Sequence, residues 1–350
     1  MKMETKRAGP IAGFRKPVFD QRIMDTKASS RIVVAGGTGF LGTRLQRALA
    51  SAGYEVVVLT RHPEKVAAPA RGVMWSPEKF GDWTKELDGA YGVINLAGKN
   101  INCRDSAANR RQILKSRINS VRALAEAVRR CAVPPQVWVQ AGSLAIHGNA
   151  GPLWCDETAP DGRGPAPEVC RKWEDAFFKA PMPPIRRVML RIGVVLGNEG
   201  GALRPLARLA KCFAGFPSGS GRQYVSWLHA HDMDRIFLHA LNEPELSGIC
   251  QACTAGPVTN AEFMAELRKI HRRPWMPPIP AWLVNVCAWL LGSDGSLILT
   301  GRRGLPGRLM ETGFRFDYPA LGPALDELLL GPRLPAPPSA AIVALPARST

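Results

Sequence analysis

The chain has 350 residues, of which 46% are hydrophobic and 21% charged, and its formal net charge at pH 7 is +17. This length and composition exclude a disordered chain and allow one large α/β domain or two lobes that share a cleft. The basic residues are scattered without a dense run, so they predict neither a nucleic-acid nor a membrane partner and suit a phosphate-bearing small molecule better.

Apolar runs and amphipathic stretches alternate along the chain, and they predict strands and helices respectively. In chain order the sequence predicts a strand at 31–35, a helix at 43–52, strands at 55–59 and 92–96, a helix at 116–130, a strand at 136–140, further apolar runs at 187–190 and 193–196, a helix at 232–242, a strand at 249–253 and a helix at 260–271. This alternation favours a parallel sheet covered on both faces, which is the Rossmann-type doubly wound α/β architecture.

The same pattern divides the chain into four segments. Residues 1–30 lack sustained periodicity and are expected to form a poorly ordered extension, while 331–350 form a tail rich in Pro and Ala. Residues 31–200 predict the Rossmann domain, with a core that continues intermittently to about 255. Beyond 200 the alternation weakens and predicts a smaller C-terminal α/β lobe over 201–330. A substrate would bind between this lobe and the carboxyl ends of the strands.

The strongest motif, GGTGFLG, directly follows the first strand and opens a helix. Its glycines at 36, 39 and 42 have the GxxGxxG spacing. Glycine permits the tight turn and lets the backbone approach a pyrophosphate, which then lies on the N-terminus of the helix. The sequence therefore predicts a dinucleotide site that comprises Gly36, Gly37, Thr38, Gly39, Phe40, Leu41 and Gly42.

The end of the second strand indicates which dinucleotide binds. An NAD site usually presents an acidic residue there, whereas this chain has Arg61 and no carboxylate before Glu64. A guanidinium suits the 2′-phosphate of NADP(H); the alternative is a solvated surface arginine. Leu96, Ala97 and Gly98 follow the next core strand, where small residues allow a loop to pass close to the adenine-ribose side of the cofactor.

These motifs together resemble the atypical extended short-chain dehydrogenase/reductases known as epimerase family proteins. The resemblance covers about 31–330 and includes LTR (59–61), INLAG (94–98), RIGVVLG (191–197), GSGRQYVSWLHAHD (219–232) and TNAEF (259–263). It implies an NADP-binding fold similar to that of nucleotide-sugar epimerases, with the short C-terminal domain of this branch at about 255–325. Relatives often dimerise through two helices, so we expect a monomer or a homodimer.

The resemblance also implies where catalytic residues would lie. Short-chain dehydrogenases use a Ser and a Tyr-x-x-x-Lys pair, in which the Lys lowers the pKa of the Tyr for proton transfer. Ser143 occupies the expected position of the Ser, but Ala166 and Cys170 occupy the expected positions of the Tyr and the Lys. His147 is a candidate acid or base because imidazole titrates near neutral pH, with a polar cleft residue as the alternative.

The segment 219–232 is the best candidate for a substrate site. Arg222 is expected to clamp a phosphate or carboxylate, and Tyr224 is the one tyrosine in a predicted cleft segment. Arg191 resembles an arginine near the crossover into the smaller lobe, with either structural pairing or ligand contact as its role. His229 and Asp232 are expected to be structural, with Asp232 as a helix N-cap.

These observations leave two hypotheses open. The first is an NADP-dependent oxidoreductase or epimerase that acts on an unidentified small anionic substrate. The second is a catalytically weak or inactive NADP(H)-binding sensor or scaffold, which the missing Tyr-x-x-x-Lys pair favours. Residues 1–30 lack the apolar segment of a signal peptide, the apolar stretch 280–291 is too short to span a bilayer, and no ligand pattern predicts a metal. A cytoplasmic location is therefore expected.

Overall fold

A computed structural model describes residues 31–331. Its strands are β1 (Arg31–Ala35), β2 (Glu55–Thr60), β3 (Arg71–Met74), β4 (Gly92–Asn95), β5 (Val137–Ser143), β6 (Trp154–Cys155), β7 (Arg186–Ile192), β8 (Val194–Leu196), β9 (Tyr224–Val225), β10 (Trp227–His229), β11 (Gly248–Ala252), β12 (Val258–Thr259) and β13 (Arg303–Gly304). Its helices are α1 (Phe40–Ser51), α2 (Ala107–Arg129), α3 (Pro165–Phe178), α4 (Leu203–Lys211), α5 (Ala230–Asn242), α6 (Asn260–Ile270), α7 (Ala281–Leu290), α8 (Ser296–Leu299), α9 (Gly307–Glu311) and α10 (Leu321–Leu330).

Seven of these strands form one parallel sheet in the order β11-β7-β5-β4-β1-β2-β3. The order reverses between β1 and β4, and the loops that follow these two strands border the crevice in which doubly wound folds bind their ligands. The edge strand β11 comes from 248–252, so the sheet extends well beyond residue 200. Because the strands are parallel, all their carboxyl ends lie along one edge of the sheet.

Helices cover both faces of the sheet, which explains why its strands are apolar throughout. One core cluster joins the sheet to α1 and α5 and includes Leu45 and Phe237. The opposite cluster joins it to α2 and α3 and includes Leu124 and Phe177. A third cluster, centred on Trp227, packs α4, α6 and α10 into the smaller lobe. The predicted doubly wound Rossmann architecture is confirmed.

Several element boundaries differ from the sequence prediction. Helix α1 begins at 40 rather than 43, and α2 begins at 107 rather than 116 because the Ser106 side chain accepts a hydrogen bond from the Asn109 amide (3.1 Å). Residues 107–115 are mostly polar, so the apolar stripe that reveals this helix starts only later. The edge strand β3 was not predicted because its four residues include Gly72 and an exposed Arg71.

The predicted N-cap of α5 was wrong. His229, not Asp232, caps this helix by accepting a hydrogen bond from the His231 amide (3.1 Å). The fully buried Asp232 instead accepts hydrogen bonds from the amides of Asp317 and Tyr318, both at 2.9 Å. Its carboxylate therefore fastens the C-terminal segment to the Rossmann domain, which is a structural role.

Candidate functional site

The glycine-rich turn after β1 is packed too tightly for larger side chains. Gly36 has φ +76°, and a Cβ on it would lie 2.7 Å from the Ala97 Cα. A Cβ on Gly42 would overlap the backbone of Gly37, so the start of α1 rests directly on the turn. The buried Gln46 side chain donates a hydrogen bond to the Gly37 carbonyl (2.8 Å). These contacts hold the turn rigidly in place.

The N-terminus of α1 is open for an anion. Its N-cap, Gly39, has no side chain to occupy the first amides of the helix, and the first turn contains no acidic residue. A Cβ on Gly39 would meet nothing within 4 Å. Free helix N-terminal amides and the helix dipole both favour a phosphate group at this position. The turn therefore fits a pyrophosphate.

The remaining residues of the turn differ in their surroundings. Thr38 is exposed and Leu41 is half-buried. The ring of Phe40 packs against the loop that follows β8, where a Cβ on Gly197 would lie 2.6 Å from the ring and one on Gly200 would lie 2.8 Å from it. Phe40 thus supports the turn by contact with the start of the smaller lobe.

The loop after β4 is positioned by a buried amide that sequence reasoning did not single out. The Asn95 side chain accepts a hydrogen bond from the Ala97 amide (3.0 Å) and donates to Gln140 (2.9 Å) and Ser120 (3.2 Å). These bonds hold Leu96 and Ala97 beside the glycine-rich turn. An asparagine at the end of an otherwise apolar strand was the available sequence signal, because a buried amide needs partners.

Arg61 lies directly after β2 and is exposed. Within residues 31–331 its guanidinium makes no hydrogen bond or ion pair, whereas Glu64, the nearest following carboxylate, pairs with His62 at 3.2 Å. Arg61 is thus available for a ligand at the edge of the sheet where the adenosine ribose of a dinucleotide lies.

Two predicted site residues lie at the ends of the neighbouring strands β5 and β7, and a third, His147, lies in the turn that follows β5. Ser143 ends β5 and lies beside Ile192 of β7, and Arg191 lies between Gly142 and Gln251 in the sheet. The Ser143 hydroxyl accepts a hydrogen bond from the Ala145 amide (3.2 Å), which leaves its own proton available to a substrate oxygen.

His147 belongs to this group, but both of its ring nitrogens are engaged. Nδ1 lies 3.2 Å from the Pro160 carbonyl and Nε2 lies 3.0 Å from the Gln251 side-chain amide. The ring is 3% exposed, and burial, assisted by the charge of Arg191, lowers its pKa. Nδ1 therefore donates and Nε2 accepts, which favours a positioning role for His147 over the predicted acid–base role.

We expect His147 to make the protein less stable in acid. Because its pKa is lower in the folded state, the unfolded state binds the proton first, and the free energy of unfolding falls as the pH drops below about 6.5. His147→Gln should flatten the dependence of Tm on pH between about 5 and 7. The exposed His62→Gln is the control and should keep the wild-type profile. Equal profiles for both variants would contradict this assignment.

Arg191 forms a buried ion pair. Its Nε and Nη2 donate to the two oxygens of Glu174 at 2.9 and 2.8 Å, and both side chains are nearly inaccessible to solvent. The third nitrogen, Nη1, is buried without a hydrogen-bond partner among the described residues. The sequence left two roles open for Arg191, an ion pair within the protein or contact with a ligand. Its Nε and Nη2 form the ion pair, and its Nη1 remains as a donor for a ligand.

The expected Tyr and Lys positions lie on α3. Ala166 is exposed, whereas Cys170 is buried, and burial raises the pKa of its thiol to about 12 although Arg117 and Arg302 oppose this shift. A Cβ on Gly98 would lie 3.4 Å from the Arg117 guanidinium carbon. The guanidinium groups of Arg117 and Arg302 therefore lie close enough to the position where the Lys is expected to act on a charge there. Arg302 was missed, and its only sequence signal is the paired arginine at 302–303.

Of the other two predicted residues, Tyr224 lies in β9, which pairs with β12 apart from the main sheet, and Arg222 lies in the loop before β9. Arg222 is exposed and its guanidinium has no partner among the described residues. The Tyr224 ring lies 4.9 Å from the Arg303 guanidinium carbon, which stacks on Trp154 at 3.8 Å. No direct contact joins Arg222 or Tyr224 to Ser143 among the contacts described for residues 31–331.

Tyr224 has a hydroxyl without a hydrogen bond in the described structure, unlike two of the other three tyrosines. The Tyr54 hydroxyl donates to Asn242 (2.7 Å) and the Tyr91 hydroxyl donates to the Leu241 carbonyl (3.3 Å). Tyr318 also makes no hydroxyl hydrogen bond within residues 31–331, and its ring stacks on His229 at 3.8 Å. Of the four, Tyr224 is the one whose ring lies beside the Arg303 guanidinium, and its hydroxyl is available to exchange a proton with a ligand.

The described residues were also searched for metal sites and for membrane-spanning helices. Among residues 31–331, no cluster of three or more His, Cys, Asp or Glu side chains has the geometry to hold a metal ion. In the same part of the chain, every helix is too short or too polar to cross a bilayer.

Comparison with known proteins identifies two matching family models. The model described as the NAD dependent epimerase/dehydratase family matches residues 32–167, and the model described as a domain of unknown function (DUF1731) matches residues 279–328. The first match contains the glycine-rich turn and Ser143, and the second contains Arg302, helices α7 to α9 and most of α10.

Individual relatives match most of the chain. Epimerase family protein SDR39U1 homolog, chloroplastic, from Arabidopsis thaliana is 33% identical over 85% of this chain and 86% of its own length. Human epimerase family protein SDR39U1 is 32% identical over 85% of this chain and 99% of its own length. The crystal structure of the human protein (isoform 2) with NADPH superposes with a TM-score of 0.74 at 30% identity, covering 85% of this chain and 98% of the other.

Proposed function

Because the chain belongs to the epimerase family proteins of the NAD-dependent epimerase/dehydratase type, we propose that it binds NADP(H) and acts as an oxidoreductase or epimerase on a small anionic substrate. The observation that carries the proposal is the open N-terminus of α1 at Gly39, with the unpaired Arg61 at the end of the adjacent strand. The human relative crystallised with NADPH supports the choice of cofactor.

Different residues of the chain would bind different parts of the cofactor. The glycine-rich turn and the first amides of α1 would hold the pyrophosphate, Arg61 would pair with the 2′-phosphate, and the loop 96–98 would lie against the adenosine. NADP(H) supplies or accepts a hydride when it is bound. Ser143 would donate a hydrogen bond to the reacting oxygen of the substrate, and Tyr224 would exchange its proton.

Arginine side chains support an anionic substrate. The buried Nη1 of Arg191 has no partner in the described structure, and an unpaired buried donor is costly unless a ligand satisfies it. Arg302 approaches the same region from the C-terminal domain, and Arg222 lies free at the surface of the smaller lobe. A carboxylate or phosphate on the substrate would pair with these guanidinium groups.

A second candidate function is a catalytically inactive NADP(H)-binding sensor or scaffold. It is favoured by Ala166 and Cys170, because the expected Tyr position holds no hydroxyl and a cysteine has no positive charge with which to lower the pKa of a tyrosine. Turnover assays with nucleotide sugars and carbonyl compounds separate the two candidates. Cofactor binding without turnover, together with a partner whose affinity differs between NADP and NADPH, would favour the sensor.

Arg61→Ala tests the cofactor assignment. Charge-assisted bonds to a 2′-phosphate are worth roughly 1.5–3 kcal/mol, so the variant should bind NADP(H) about 10- to 100-fold more weakly. Its affinity for NAD should not change, because NAD lacks this phosphate. Calorimetric titration with NADP, NADPH and NAD measures the three affinities. The nearby Lys65→Ala is the matched control and should bind all three like the wild type. An equal loss of affinity for NAD and NADP would contradict the role of Arg61.

Location and assembly remain proposals. We propose a cytoplasmic monomer or homodimer without a nucleic-acid partner, while the plant relative is by its name a chloroplast protein.

A further inference from the structure

Two segments of the smaller lobe carry positive charge without any acid. Residues 200–231 contain no Asp or Glu, and neither do residues 267–293. Together they hold eight basic residues: Arg204, Arg208, Lys211, Arg222, Arg268, Lys269, Arg272 and Arg273. A surface whose charged residues served only solubility would contain acidic as well as basic side chains.

The two segments form one surface. The Arg273 side chain donates a hydrogen bond to the Lys211 carbonyl (2.9 Å) and stacks on Phe213 at 4.0 Å. Arg268 donates to the Gly215 carbonyl (2.6 Å), and the Gly219 amide donates to the Ile279 carbonyl (2.9 Å). These contacts join α4 and the following loop to α6 and the start of α7. We call the exposed residues of 200–223 and 267–293 the acid-free face; Glu266 borders it, 3.7 Å from the Lys269 ammonium.

Helix α7 presents apolar side chains on this face to solvent. Its sequence, AWLVNVCAWL, contains no charged residue, yet only Val284 and Ala288 are buried. Trp282 is 65% exposed, Leu290 67% and Leu291, directly after the helix, 81%. The helix therefore rests on the protein along one narrow stripe and leaves most of its apolar surface uncovered.

Further large apolar side chains of the same lobe are exposed. Trp289 of α7 is 60% exposed and Trp275, before this helix, is 76% exposed, while Leu209 and Phe213 are about half exposed beside the basic residues of α4. Large apolar side chains that are exposed together on one lobe indicate an interaction surface.

From these features we infer that the acid-free face binds peripherally to anionic lipid bilayers, with the tryptophans and leucines of α7 inserted at the headgroup level. Tryptophan is the residue that membrane interfaces favour most clearly, because its apolar ring and polar N–H suit that depth. Basic residues beside an apolar helix add attraction to anionic lipid. The sequence alone predicted no membrane partner, because these charges are scattered along the chain and only folding brings them to one face.

The charge of this face argues against other occupants. Two copies that met through it would bring the exposed Arg204, Arg208, Lys211, Arg222 and Arg272 of one copy against the same residues of the other, and like charges across an interface are unfavourable. Nucleic acid would satisfy the arginines, but exposed leucines such as Leu290 and Leu291 gain nothing against a phosphate backbone. An anionic bilayer satisfies both the charged and the apolar side chains.

Vesicle co-sedimentation tests the inference with the full chain. We expect it to bind vesicles of phosphatidylcholine with about one-third phosphatidylglycerol, and to bind pure phosphatidylcholine vesicles at least tenfold more weakly. Trp282→Ser with Leu291→Ser should reduce binding to the anionic vesicles about tenfold or more, since each removes exposed apolar area that would enter the bilayer. Arg204→Glu with Arg208→Glu and Lys211→Glu should reduce it at least as much.

Matched controls keep the test specific. Val133→Ser with Leu153→Ser removes side chains that are 63% and 70% exposed elsewhere on the protein, and Lys85→Glu with Lys115→Glu and Lys179→Glu reverses three charges away from the acid-free face. Both controls should bind anionic vesicles like the wild type. If the control variants lost as much binding to anionic vesicles as the test variants, or if the wild type did not bind them, the inference would be overturned.

Two parallel measurements identify a different occupant. Sedimentation equilibrium that shows a dimer lost in Trp282→Ser with Leu291→Ser would assign the face to a second copy and overturn the membrane proposal. DNA binding as tight as vesicle binding and insensitive to these two substitutions would likewise overturn it. Since the vesicle assay needs no cofactor, its result is independent of NADP(H) binding and turnover.

Discussion

Replacing Gly39 with Asp is expected to abolish NADP(H) binding without lowering the stability of the protein. Gly39 has the extended backbone of an N-cap, with φ −86° and ψ −179°, and a Cβ there meets nothing. An Asp side chain can therefore accept hydrogen bonds from the first amides of α1, which stabilises a helix by roughly a few tenths of a kcal/mol relative to a glycine N-cap. The same carboxylate would occupy the pyrophosphate position and repel its charge, so binding should weaken at least about 100-fold.

Calorimetric titration with NADPH and thermal unfolding measure these opposite effects. Ala320→Asp is the matched control, because Ala320 is the exposed N-cap of α10, also has an extended backbone and also makes no side-chain cap. It should stabilise the protein by about 1 kcal/mol, because alanine is a poorer N-cap than glycine, and it should bind NADPH like the wild type. If Gly39→Asp bound NADPH with nearly wild-type affinity, the pyrophosphate would not lie at this helix and the cofactor proposal would fail.

The glycine-rich turn could be predicted because all its requirements are local. A strand, three glycines and a helix follow one another within 31–51. Gly36 and Gly42 allow close backbone contacts, and Gly39 leaves the helix N-terminus open, as the spacing implies. The position of Arg61 could be predicted in the same way, because a residue directly after β2 must lie at the edge of the sheet. The doubly wound architecture followed from the alternation of apolar runs and helices for the same reason.

The polar partners of the site could not be predicted, because they are distant in sequence. His147 meets Gln251, which lies 104 residues later, and Asn95 meets Gln140, which lies 45 residues later. Nothing local indicated that the ring nitrogens of His147 would both be engaged. Arg302 is a comparable case, since only the packing of the C-terminal domain brings it near Cys170.

Exposure was the other property that the sequence left open. The apolar stretch 280–291 predicts a buried or partner-facing helix, and both alternatives share the same composition. The structure distinguishes them, because α7 buries only Val284 and Ala288. Composition reports the hydrophobicity of a helix, while burial depends on how many neighbours the fold places around it.

Glu174→Gln should produce the largest loss of stability among single substitutions that keep a side chain's size. The change removes the charge that neutralises Arg191 while the guanidinium remains buried, with its exposed fraction at 4%. Breaking a buried ion pair on one side costs about 3–5 kcal/mol, because the remaining charge is neither solvated nor paired. Urea unfolding should show this difference as a lower midpoint with an unchanged slope.

The same helix provides the control. Glu168 pairs with Lys172 on the exposed face of α3, and Glu168→Gln should change stability little, because solvent screens an exposed pair. Glu174→Leu combined with Arg191→Met should recover most of the loss, since no buried charge remains uncompensated. If Glu174→Gln were as mild as Glu168→Gln, water would reach the guanidinium in solution. In that event its unpaired Nη1 would no longer argue for an anionic ligand, and the substrate class proposed for this protein would rest on Arg222 and Arg302 alone.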